Sequence, residues 1–280
     1  MVKHLPPAVK HLLTLRNPNS FPSPSVRALN EVLSATLKEA KQQSAVNGWL
    51  VLSTCTLLTA NTPAAVGDLY RFACRADPTS SESRHGIPER IDIAAKMRES
   101  ALKSSIFVGV PRTILSLAAM HDAFEDDVKS GLRHDSHRMA TPATIETFAK
   151  RGRALWDSIY EPHAQKLHDK LGSYHPDFIS FIIQAYGLVL APFPAEDREQ
   201  GNLSRALGSV VGTACLRAET RVGPQLTSHV FGLLKARSCV DLTPEDHWLS
   251  SDAGTEWVLR AVDRIYDVAR GESSGARSKL

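Results

Sequence analysis

The stretch Ala94 to His121, AAKMRESALKSSIFVGVPRTILSLAAMH, constrains the fold more than any other part of the chain. Up to Phe107 its apolar residues Met97, Ala101, Leu102, Ile106 and Phe107 recur at helical spacing, while Arg98, Glu99 and Lys103 fall on other faces. Gly109 stands where a left-handed residue would end that helix, and Pro111 where a first-turn proline would open the next. From Ile114 to Met120 the second helix is apolar almost all round, Ser116 excepted, and is expected to be buried. The rest of the chain is expected to organise around these two helices and the corner between them.

Helical spacing recurs elsewhere. Residues 1 to 25 read as an irregular lead-in, with a short helix around Val9 to Leu15 and a Pro/Ser/Asn stretch behind it. Ser25 is placed to cap a helix with apolar positions Val26, Leu29, Leu33, Leu37 and Ala40, closing near Asn47-Gly48. Trp49 to Ala60 is almost continuously apolar, and its length predicts a buried helix despite Val51, Thr54 and Thr56. Thr62-Pro63 restarts the chain into a helix through Leu69, Tyr70 and Phe72, and the breaker-rich segment Asp77 to Gly86 is a loop ahead of Pro88. A charged loop, Asp126 to Met139, divides the chain. Beyond it Thr141-Pro142 opens a helix containing Ile145, Phe148, Leu155 and Trp156, and Glu161-Pro162 and Gly172 break the next stretch into shorter pieces around Leu167. Phe178 to Ala191 reads as another buried helix, ended by Pro192-Phe193-Pro194. A long helix is predicted from about Ala195 to Ala218, then a corner at Val222-Gly223-Pro224 and a helix through Leu226, Val230 and Leu233. Thr243, Pro244 and Asp246 make a capping-box-like start. Asp252 is a candidate cap for a last helix striped by Trp257, Val258, Ala261, Ile265 and Val268. No hairpin dipeptide or alternating run occurs, so the fold class is all-α. The expected organisation is an irregular lead-in over 1–25, one helical domain over 26–269 with halves at about 26–125 and 140–269, and a flexible tail over 270–280.

Composition removes several function classes. A formal charge of +3 with 6% aromatic residues, and basic residues scattered rather than striped, argues against nucleic acid. No apolar run approaches the roughly 20 residues a membrane span requires, and Pro6-Pro7 interrupt the N-terminus before a secretory signal develops. Eleven histidines include no HxxxH or HExxH pair on a predicted helix, so no metal is expected. Cys55, Cys74, Cys215 and Cys239 are isolated in apolar or mixed helical contexts, as reduced thiols would be. The last three residues, Ser278-Lys279-Leu280, match the receptor-read peroxisomal address, and the polar segment Arg270 to Arg277 would keep them accessible. The expected compartment is the peroxisomal matrix and the expected partner its import receptor. His4-Leu5 and His11-Leu12 echo the N-terminal type of peroxisomal signal faintly, with a histidine in place of the basic residue.

Setting Pro63 against Pro224 aligns Leu69 with Val230, Tyr70 with Phe231, Phe72 with Leu233 and Asp68 with His229, a faint internal echo. The segment KSSIFVGVPRTILSLAA resembles the helix–Gly-x-Pro–helix element of the carboxymuconolactone decarboxylase and alkylhydroperoxidase D-like superfamily, and QLTSHVFGLLKA (Gln225 to Ala236) resembles its active-site helix. The likeness covers about residues 45 to 125 and 195 to 270. It implies an all-helical fold of repeated units, no cofactor, assembly as a homodimer or higher oligomer, and His229 as the catalytic histidine. Peroxidase members carry Cys-x-x-Cys with a histidine four residues later; counting back from His229, this chain has Val222 and Gln225 there. Decarboxylase members place a glutamate at the position of Gln225.

His229 could be a general acid/base with a pKa near neutral, or a histidine that merely bonds a neighbouring carbonyl. Glu219 could orient it or supply a second carboxylate, and could equally be a solvated charge. Asp68 and Tyr70 are the corresponding candidates in the first half. Arg98, Lys103 and Arg112 could present a cationic wall to an acidic substrate, or be solvated. Three functions stand as expectations: a cofactor-independent enzyme, decarboxylase- or isomerase-like, acting on a small acid or lactone through His229, Glu219 and Gln225; hydroperoxide reduction, weakened by the absent thiol motif; or a non-catalytic binding or assembly protein.

Overall fold

The computed structural model describes residues 4–16, 23–194 and 199–271, and among them fourteen α-helices and no strand. The helices are α1 (Pro7–Arg16), α2 (Val26–Gln42), α3 (Val46–Thr59), α4 (Pro63–Ala73) and α5 (Ile87–Val108). Then come α6 (Val110–Ala123), α7 (Asp126–Gly131), α8 (Ile145–Tyr160), α9 (Ala164–Tyr174) and α10 (Pro176–Ala185), the last continuing as one π-helical turn over Tyr186–Leu190. The chain closes with α11 (Arg205–Glu219), α12 (Gly223–Lys235), α13 (Pro244–Leu249) and α14 (Asp252–Ala269). None of these helices is long and apolar enough to cross a membrane. The tripeptide Ser278-Lys279-Leu280 lies outside the described residues.

Helix α3 is the centre. Every residue from Gly48 to Thr59 is buried, which a helix rich in hydroxyls tolerates only if those hydroxyls find partners. Its threonines find them in their own helix: Thr54, Thr56 and Thr59 donate to the carbonyls of Leu50, Leu52 and Cys55 at 2.6–2.8 Å. Trp49 reaches sideways instead, its Nε1 donating to Thr36 Oγ1 on α2 at 3.0 Å. Large buried side chains such as Trp49, Leu52 and Leu57 each contribute roughly 1.5–3 kcal/mol relative to exposure. Helix α11 packs on α3, and α5 and α14 each pack on both. The core is therefore built around α3 and α11, with α5 beside them, rather than around the α5–α6 pair.

A second, smaller core lies between α8, α9, α10 and the π turn, and Phe107 on α5 touches both cores. Glycine makes the crossing of α8 with the π turn possible. A Cβ on Gly152 would fall 1.9 Å from the carbonyl of Ile183, and one on Gly187 would fall 1.8 Å from the carbonyl of Phe148. The two backbones touch there.

The structure corrects several expectations. Helix α6 is not buried all round: Ile114 and Leu115 are 58% and 46% exposed, whereas the polar Ser116 is buried. Gly109 does have positive φ, but at φ 82°, ψ 166° it is extended in the mirror-image sense rather than left-handed helical. Asn47-Gly48 do not close α2; they sit in the first turn of α3, where Glu245 accepts from Asn47 Nδ2 and the Gly48 amide. Of the helix expected from Ala195, residues 195–198 lie outside the described residues; among the rest it begins at Arg205, where Ser204 caps it and Gly201 takes φ 75° just before. The run to Ala191 is helical, yet Phe178 and Phe181 face outward. Helix α8 starts at Ile145 rather than at Thr141-Pro142, the loop after Asp126 holds the short α7, and Ser251 rather than Asp252 caps α14. The capping box at Thr243 and Asp246 is present.

Candidate functional site

His229 lies on the inner face of α12, where α12 crosses α11. Room for its ring comes from Gly212, because a Cβ there would stand 2.7 Å from Nδ1. Phe107 meets the ring edge-on, centroids 5.1 Å apart at 89°. The ring is therefore held on two sides by apolar groups and is 5% exposed. Its Nε2 sits 3.3 Å from the hydroxyl of Tyr160, which sits 3.1 Å from the hydroxyl of Tyr186. Tyr160 is the last residue of α8 and Tyr186 the first of the π turn. The glycine crossing holds these two elements together, so the three polar groups form one line of hydrogen bonds.

The electrostatics keep that line neutral. Burial, and then the positive charge of Arg205, lower the His229 pKa to about 4. Burial raises both tyrosines above their usual value. Arg205 is held across His229 by Ser158 Oγ at 3.0 Å, the carbonyl of Gly232 at 3.2 Å and Ser209 Oγ. Between Arg205 and the imidazole is a space of ≈10 Å³, the size of one water. The expectation of a near-neutral pKa is thus corrected: at pH 7 this histidine is an uncharged acceptor and donor.

On its other side His229 lines a cleft of ≈570 Å³ between α9–α10 and α12. Phe107, Trp156, Leu171, Phe181 and Ile182 make it mostly apolar. Tyr160, Tyr186, Gln225, Ser228 and Lys170 place polar groups on its wall. Gln225, one turn before His229, shares this cleft. Glu219 does not orient the histidine: it pairs with Arg112 at 2.5 Å, and Arg112 also donates to the carbonyl of Thr59.

The remaining candidates are scattered. Asp68 pairs with Arg71 on its own helix, and Tyr70, buried, donates to Glu125 at 2.5 Å. Arg98, Lys103 and Arg112 do not form a cationic wall. Lys103 is fully buried, donating to the carbonyls of Val189 and Leu190 at 2.9 and 2.8 Å and pairing with Glu99, while Arg98 donates to the carbonyl of Arg133. Burial lowers the Lys103 pKa to about 8. Of the free cysteines, Cys55, Cys74 and Cys215 are buried and Cys239 is partly exposed. Cys55 and Cys215 meet at the α3–α11 contact, sharing Ser104 Oγ at 3.4 and 3.3 Å. Burial raises the Cys55 pKa; on Cys215 burial is outweighed by hydrogen bonds from Cys55, Ser104 and Thr59, which lower it. Among the described residues no three or more His, Cys, Asp or Glu side chains gather as a metal site would.

Sequence reasoning missed Tyr160, Tyr186 and Arg205. The signal available was a lone tyrosine in the apolar run after Phe178, since a buried phenol needs a partner for its hydroxyl. Comparison of the chain with protein-family models, curated proteins and solved structures returns no match.

Proposed function

We propose that this chain is a cofactor-independent enzyme of the decarboxylase-like superfamily, moving a proton at a carbon next to a carbonyl in a small acid or lactone. The observation that carries the reading is the Tyr186–Tyr160–His229 line ending on a cleft large enough for such a molecule. In this reading the unprotonated imidazole of His229 takes the proton from the carbon while the Tyr160 phenol donates to the oxygen of the developing enolate, and the proton then returns from the imidazolium to the substrate's carbon framework. His229 and Tyr160 are the proton-handling pair, Gln225 is a hydrogen-bonding group on the wall, and Glu219 with Arg112 braces the end of α11. The reading is tested by incubating a metabolite extract with the protein and with His229→Ala, and following by mass spectrometry which compounds change. A compound consumed by the first and spared by the second supports it; identical extracts overturn it and favour a non-catalytic binding role.

The superfamily fold itself is part of the proposal, as are two repeated halves. Asn61 and Arg221 both take positive φ just before Thr62 and Val222, which hold the same N-terminal position on α4 and α12 at φ −113° and −115°. This register pairs Cys55 with Cys215 and lies one residue away from the one that sets Pro63 against Pro224. Localisation to the peroxisomal matrix through Ser278-Lys279-Leu280 belongs to the same proposal, as does a homodimer. Hydroperoxide reduction is a second reading, favoured by the meeting of Cys55 with Cys215.

A further inference from the structure

The outer wall of the cleft comes from α9 and α10, which lie between the two segments that carry the family resemblance. Its rings are unusually open: Phe178, Phe181 and Tyr174 are 46%, 61% and 66% exposed. They border a concave surface, and its ≈570 Å³ falls within the range of small-molecule sites. A second depression of ≈570 Å³ adjoins it, sharing Tyr160, Leu167, Lys170 and Ser228. Lys170 stands where the two join and Lys166 lines the second. Among the described residues neither ammonium group has an acidic partner, since Asp169 pairs with His168; Glu161 lines only the second depression.

The two ends of the cleft therefore differ in charge. The inner end offers the uncharged His229 and Tyr160, and Arg205 lies behind the histidine on the small pocket rather than in the cleft. An anion driven to the inner end would be desolvated without a cation in contact with it. At the rim an anion keeps its water and gains a lysine.

We infer that the cleft binds an amphipathic carboxylate, its aryl or alkyl body along α9 and α10, its carboxylate at Lys170 and a neutral oxygen function turned inward to Tyr160 and His229. This deepens the acid/base reading by naming a substrate class, and it rests on the same cleft. Polar groups at the closed end and unpaired lysines at the rim fit a small anion better than a second copy of the chain, which would cover the apolar rings but leave the closed end unfilled.

The test uses the full chain, with anilinonaphthalene sulfonate as a fluorescent reporter displaced by decanoate, decanol or decylammonium. Decanoate should compete about tenfold more tightly than either of the others. Lys170→Glu should weaken decanoate by about tenfold and leave decanol unchanged, Lys170→Arg should retain binding, and added salt should weaken decanoate alone. Ser228→Trp, which fills the cleft from its wall, should abolish displacement by all three. Equal competition by the three compounds, or no effect of Lys170→Glu, overturns the inference. So does a dimer that Phe181→Asp splits into monomers, since the rings would then belong to an interface between copies. If decanoate binds as expected but no His229-dependent reaction exists, the enzymatic reading fails and this one stands. If such a reaction is found while decanoate ignores Lys170, the reverse holds.

Discussion

His229 occupies a site that opposes its protonation, and the consequence is measurable. An exposed histidine titrates near 6.5, whereas burial and Arg205 hold this one at about 4. Between those values the unfolded chain binds the proton and the folded chain does not. Stability is thus fully present above about pH 6.5 and is lost as the pH falls toward 4, by an amount on the order of 3 kcal/mol. Urea unfolding should show this loss in the wild type, and His229→Gln should lack that part of it; parallel pH profiles would refute the assignment. The chemistry has its own residue-level test. Replacing Cys55, Cys74, Cys215 and Cys239 with alanine should leave any reaction intact in protein that still folds, while His229→Ala should reduce it by roughly 10²-fold or more. Stability must be followed alongside, since each buried replacement costs on the order of 1–2 kcal/mol. Hydroperoxide turnover that vanishes with the cysteines would favour the thiol reading instead. His229 and Gln225 entered the reading through the resemblance of Gln225 to Ala236 to an active-site helix, and one turn of α12 brings both to the same cleft. Tyr160 and Tyr186 were not legible, because their meeting depends on a crossing of α8 with the π turn that no local pattern encodes.

At the scale of elements, that crossing is the part of the fold most sensitive to a single methyl group. Gly152→Ala or Gly187→Ala would push a Cβ into a facing backbone, which cannot rotate away as a side chain could. Each should cost about 3 kcal/mol or more in chemical denaturation, and a loss below ~1 kcal/mol would mean the helices separate easily. Gly109→Val differs in kind: a Cβ there meets only Pro111 Cδ at 3.7 Å, so its cost, on the order of 1 kcal/mol or more, is backbone strain at φ 82°. Most helices were legible, since α3, α5, α12 and α14 carry apolar runs or stripes with glycine, proline or hydroxyl residues at their ends. The errors share a physical cause. Composition identifies α6 and α10 as apolar but not which side meets the core. Before Arg205 the local signals, Gly201-Asn202 and the hydroxyl of Ser204 that caps the Leu207 amide, were outweighed in the reading by the helix-forming residues ahead of them.

At the scale of the whole molecule, α6 presents an apolar side that the core does not explain. Val110, Ile114 and Leu115 are exposed along one side of it, while Thr113, Ser116 and Met120 turn inward. These exposed positions are apolar, the nearby Arg112 is engaged by Glu219, and the exposed charge on this side, Asp122 beside His121, lies at the far end of the helix. A two-fold contact through α6 would bury this stripe against itself. The helix has 14 residues, or about 21 Å of length, and a crossing of two such helices alone buries less than the ~800 Å² per partner of a stable interface. If α6 carries the proposed homodimer, the association is therefore expected to be weak and to dissociate on dilution, as mass action requires. Sedimentation velocity across a concentration series checks this directly. Ile114→Asp with Leu115→Asp should give a monomer at every concentration without loss of helix content, because neither side chain belongs to the core. Phe181→Asp, on the far cleft, should leave the equilibrium where it was. A chain that stays monomeric at high concentration, or a dimer indifferent to the α6 pair, would show that the stripe is simply solvent-exposed apolar surface.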